Sequence, residues 1–65
     1  MKNKYKDWYI LIGEEDGLFT GNITNLNSSG QLSTSYAASI PNNKSSYEAI
    51  LLCEKYIDDN LTIKQ

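Results

Sequence analysis

Cys53 is the one cysteine of the chain, and neither histidine nor arginine occurs in it. A thiol becomes a nucleophile only as thiolate, and histidine is the side chain that ordinarily takes its proton near neutral pH. With no such base, Cys53 is expected to be a small buried hydrophobe. One cysteine also excludes an intrachain disulfide and a thiolate metal centre within one chain, which suits a reducing cytoplasm. Serine chemistry lacks its usual contexts, because neither Gly-x-Ser-x-Gly nor Ser-x-x-Lys occurs. The expectation is a chain that is not an enzyme and carries no cofactor.

The charged residues suggest contacts instead. Glu14, Glu15 and Asp16 stand together before Gly17. Carboxylates suit calcium or magnesium, but the spacing is not that of an EF-hand loop, so a solvated hairpin tip or an acidic patch for a basic partner is expected. Asp58 and Asp59 would enlarge that patch if they pack near the turn. Lys2, Lys4 and Lys6 alternate with Asn3 and Tyr5. On an extended segment they would line one face beside Tyr5, Trp8 and Tyr9 and offer a small nucleic-acid contact. A frayed, solvated terminus is the simpler expectation.

Positioning these groups falls to a small frame. The chain has 65 residues, of which 40% are hydrophobic and 22% charged, a balance that supports one folded domain, residues 1–65, with a modest core. Six lysines against eight carboxylates leave a net charge of -2, so no global field draws in a phosphate backbone and nucleic-acid binding is disfavoured. The apolar stretch 8–12 ends at glycine and acids, too short for a signal peptide or membrane span. Lysine as the only cationic type, with abundant asparagine, isoleucine and tyrosine, matches AT-rich codons, as in a low-GC bacterium or its phage.

The segment 6–14 is dense in aromatic and β-branched residues and reads as a first, central strand. Alternation sets Trp8, Ile10 and Ile12 on one face and Tyr9 and Leu11 on the other. Asp16 and Gly17 are the pair expected in a tight hairpin turn, and the apolar run 18–23 follows as a second strand. Gly21 within it predicts a bulge or the close passage of another segment. Residues 24–30 favour turns. The run 31–40 alternates as a half-buried third strand, ended by Pro41.

Ser45 and Glu48 fit a capping box, with the Ser45 hydroxyl accepting from the Glu48 amide and the Glu48 carboxylate reaching back to the Ser45 amide. A helix over 45–59 would turn Ala49, Ile50, Cys53, Tyr56, Ile57 and Asn60 toward the sheet. Leu52 then sits at the stripe's edge and Leu51 points away from it. Asp58 and Asp59 oppose the macrodipole, which marks fraying or a partner contact. Leu61, Thr62 and Ile63 fit either a short final strand or one more helical turn.

The predicted fold is α+β: three antiparallel strands, with a short fourth at most, covered on one face by a C-terminal helix. One sheet face and at least one edge stay open, which predicts a protein partner or a homo-oligomer. Five tyrosines and Trp8 supply more amphipathic area than so small a core absorbs, with Tyr56 expected inward and Tyr5, Tyr9 or Tyr47 outward. The expected contact residues are Tyr9, Leu11, Glu14, Glu15, Asp16, Leu51, Asp58 and Asp59. The expected role is a cytoplasmic phage or mobile-element inhibitor that blocks a host protein by occupying its surface; a small ligand-binding or nucleic-acid-binding dimer is the other class.

The order hairpin, third strand, helix, with Asp16, Gly17, Leu18 and Phe19 at the first turn and Ser45 to Ile50 opening the helix, resembles the small β-β-β-α unit of HicB-type antitoxins over roughly residues 8–57. The chain lacks that family's Pro-Gly-rich segment and the Gly-Asp before its helix. The resemblance implies a protein-binding role and dimerisation through an edge strand, and transfers no catalytic residue.

Overall fold

The computed structural model describes residues 2–62. Four strands form one antiparallel sheet in the order β1-β2-β3-β4: β1 Lys2–Tyr5, β2 Trp8–Glu15, β3 Leu18–Thr24 and β4 Ala38–Asn43. Helix α1, Ser46–Tyr56, follows and passes directly into a π-helical turn over Ile57–Leu61. The fold is the α+β arrangement anticipated, with a four-stranded sheet and one C-terminal helix.

The β2–β3 hairpin forms as its turn residues require. Asp16 and Gly17 take φ values of 55° and 79°, the left-handed pair that matches the twist of the flanking strands. The resulting register sets Ile10 opposite Ile23 and Ile12 opposite Gly21. Ile10 and Ile23 are fully buried and, with Cys53 and Ile57, form the core. Gly21 answers its sequence signal in both ways. The β3–β4 register shifts between Phe19 and Gly21, and a Cβ at Gly21 would collide with the Cys53 sulfur while lying 3.2 Å from the Ala49 carbonyl oxygen. The missing side chain lets α1 lie close on the sheet.

Several expectations are corrected. The lysine-bearing N-terminus is not frayed: Lys2–Tyr5 forms β1, a strand not anticipated there, paired with β2 from Lys2 opposite Leu11 to Tyr5 opposite Trp8, and the first strand of the hairpin begins only at Trp8. Lys6 turns the chain at φ 55°, so it leaves the strand instead of lining one face with Lys4.

The third strand starts at Ala38, not Gln31, because the preceding residues fold onto themselves. The Asn27 side chain accepts from the amides of Ser29 and Gln31, both at 3.0 Å, and Leu26 bridges Leu32. The Thr24 hydroxyl then donates to the Ser33 carbonyl at 2.8 Å, which fastens this loop to the end of β3. Self-satisfied loop backbone has no need of a ladder.

Pro41 does not end that strand but lies inside it. β4 is an edge, where a residue without N–H is tolerated, and the register leaves both Pro41 and Asn42 opposite Thr20 as a bulge. Asn42 takes φ 67° there, and the buried Asn43 amide secures the far side by donating to the Phe19 and Ile40 carbonyls at 3.0 and 2.7 Å.

The helix start is as anticipated on one side of the capping box: the Glu48 amide donates to the Ser45 hydroxyl at 3.0 Å. The Glu48 carboxylate accepts from the Lys44 amide instead of that of Ser45. Ala49, Cys53 and Ile57 are buried, and Ile50 and Tyr56 pack partly against the core, whereas Asn60, in the π turn, is exposed. The regular helix stops three residues short of 59. Leu61 closes the π turn, Thr62 is extended, and Ile63 lies outside the described residues.

Candidate functional site

The helix covers one face of the sheet; among the described residues the other is bare apart from the end at Thr24, which is buried and donates to the Ser33 carbonyl of the following loop. Alternation along β2 turns Trp8, Ile10 and Ile12 to the helix and Tyr9, Leu11 and Glu15 away from it. The register across the hairpin adds Leu18, Thr20 and Asn22 to the bare face, and Ser39 of β4 joins them by donating its hydroxyl to Asn22 Oδ1 at 2.7 Å. Tyr9 and Leu11 are half-buried there, while Leu18 is 41% exposed. Gly13 lies between them, and a Cβ placed on it would meet nothing within 4 Å. The backbone is thus open to a close approach. Lys4 stands at one end with its ammonium 5.9 Å from the centre of the Tyr9 ring, and Glu15 stands at the other.

Leu18 was not among the expected contacts, although its signal was present. With Asp16 and Gly17 as the two turn residues, Leu18 must pair with Glu15 and share the face of Leu11 and Tyr9.

The acidic residues do not converge. Glu14, Glu15 and Asp16 are exposed at the β2–β3 turn, whereas Asp58 sits at the opposite end of β2 beside the β1–β2 turn. Eight strand residues put about 25 Å between these ends. Asp58 accepts from the Tyr5 hydroxyl at 2.9 Å and pairs with the Lys6 ammonium. The hydrogen bond to Asp58 raises the Tyr5 pKa, and the same carboxylate raises that of Lys6. Asp59 pairs with Lys55 at 3.3 Å, one turn back. These pairings offset part of the macrodipole conflict. Tyr5 packs partly against the core and is not an outward tyrosine. With Lys6 so engaged and turned aside, the anticipated row of three ammonium groups is not formed.

A second exposed face lies on the outside of α1. Leu51 and Leu52 are 45% and 38% exposed, and Tyr47 is 69% exposed. A cleft of about 230 Å³ runs along the β4 side of this face between Ile40, Leu52, Lys55, Tyr56, Asp59 and Asn60. A second cleft, of about 310 Å³, opens between the β1–β2 turn and the end of the π turn, lined by Lys6, Asp7, Trp8, Leu61 and Thr62.

Cys53 is fully buried, and burial, with the neighbouring Glu54 charge, pushes its pKa up to about 11. It is protonated at neutral pH and faces β3. Among the described residues, no three histidine, cysteine or carboxylate side chains gather as a metal site, and no helix is long and apolar enough to cross a membrane. No family model, curated protein or solved structure matches this chain.

Proposed function

We propose that this chain is a non-enzymatic protein-binding module, of the kind a phage or mobile element directs against a host protein, that inhibits a larger protein by occupying part of its surface with the bare sheet face. The carrying observation is the strip Tyr9, Leu11 and Leu18 around the uncovered Gly13 backbone, bounded by Lys4 at one end and Glu15 at the other. A flat apolar strip with a charged rim is the anatomy of a protein interface. Glu14 and Asp16 extend the rim at the turn, while Asp58 and Asp59 lie away from this face, paired with Tyr5, Lys6 and Lys55.

Both sheet edges support assigning the contact to the face. β1 carries Lys4 and β4 carries Pro41 with its bulge, the devices that discourage strand addition. A second reading, an antitoxin-like module, draws on the order β2, β3, β4, α1, but the blunted edges speak against the edge-strand dimer that this resemblance implies.

The test is affinity capture from host extract with the wild-type chain, Leu11→Asp and Leu51→Asp, each checked for folding by circular dichroism. The reading requires a protein retained by wild type and Leu51→Asp, released by Leu11→Asp, and less active when the wild-type chain is added. Identical retention by all three folded proteins would overturn it.

A further inference from the structure

We infer that the outer face of α1 is a self-association surface on which a second copy of this chain packs its own α1 antiparallel about a two-fold axis between Leu51 and Leu52. On a wheel of about 100° per residue, Glu48, Leu51, Leu52 and Lys55 of α1 fall within one stripe about 100° wide, with Asp59 of the π turn held beside Lys55 by their ion pair. That stripe lies opposite the buried Ala49, Cys53 and Ile57. The stripe is two leucines flanked by charges, and the order of those charges identifies the occupant. An antiparallel copy centred between residues 51 and 52 brings Glu48 of each copy beside Lys55 of the other. This contact occurs twice by symmetry, each time between opposite signs.

Parallel pairing of the same stripe would instead set each charge against its own kind. A partner of unrelated sequence gives no reason for the charges to mirror about the leucine pair, whereas a two-fold interface must be complementary to itself. The seam then consists of Leu51 against its symmetry mate and Leu52 against its own. Lys55, whose side chain is 73% exposed, comes to lie between its own Asp59 and the second copy's Glu48. The cleft beside Leu52 gives room for the crossing chain on the β4 side. The assembly is a four-layer stack, sheet, helix, helix, sheet, with both bare sheet faces still outward. This surface is therefore independent of the one proposed for the larger partner.

One short helix pair buries less than the roughly 1,200 Å² of stable complexes, so association is weak and reversible. Sedimentation equilibrium of the full chain from about 10 µM to about 1 mM, at low and high salt, should show a monomer–dimer equilibrium that salt weakens. Lys55→Glu sets like charges together and should raise the dissociation constant at least about tenfold. Adding Glu48→Lys to it restores opposite signs and should recover the dimer. Leu51→Asp should give monomers, and Leu11→Asp should leave the equilibrium unchanged. A wild-type monomer at all concentrations, or a charge swap that fails to recover what Lys55→Glu loses while the protein stays folded, would overturn the assignment.

Discussion

Gly21 of β3 and Cys53 of α1 are fitted to each other: the sulfur occupies the space that a side chain at position 21 would need. The contact draws the helix onto the sheet and shields the thiol.

Gly21→Ala should therefore destabilise the protein by about 1–3 kcal/mol in urea unfolding, the usual cost of overpacking a filled core. Its backbone is not in the left-handed region, so the loss is steric. Cys53→Ala in the same chain should recover part of the loss, leaving the closer approach to the Ala49 carbonyl. Strict additivity of the two changes would show that the two residues are not coupled.

The Cys53 thiol should be inert in the native state. With its pKa near 11 and no exposure, it should react with a thiol reagent at neutral pH only as fast as the fold opens. Labelling in the absence of denaturant at the rate of a free cysteine would contradict the buried placement.

Asn43→Ala should cost about 1–3 kcal/mol, since two carbonyls lose their donor where the bulge closes. The measurement is the urea midpoint, supported by amide exchange at β4.

Alkaline pH should release the junction between the β1–β2 turn and the π turn. The Tyr5 and Lys6 pKa values are both raised in the fold, so their protonated forms are favoured there. Their contribution is fully present below the unfolded values of 10.0 and 10.5 and is lost as pH rises through the folded ones. Asp58→Asn should flatten this alkaline limb of the stability profile, and absorbance titration should show one tyrosine shifting to lower pKa. An unchanged titration would mean that the Tyr5–Asp58 bond is absent in solution.

What the sequence determined by itself was local. Asp16 and Gly17 specify their turn because positive φ at two successive positions is a property of those residues and not of their surroundings. Ser45 starts the helix because its hydroxyl reaches an amide three residues on. The inward stripe Ala49, Cys53, Ile57 follows from helical spacing, and the opposite faces of Tyr9 and Ile10 follow from strand spacing. Even Gly21 announced a close approach. Tertiary structure decided whatever depends on a partner far along the chain. Lys4 and Tyr5 become an edge strand only because β2 is there to pair with them. Pro41 can continue β4 only because that strand is an edge, a fact of the sheet order that no local window contains. The serine-rich run before Ala38 alternates like a strand, yet Asn27 and Thr24 satisfy its neighbours' backbone first. The acids at 14–16 and at 58 and 59 look alike in sequence, and the fold sends them to opposite ends. Asp58 spends its charge on Tyr5 and Lys6, 53 and 52 residues away, because the helix runs back along the sheet to the β1–β2 turn.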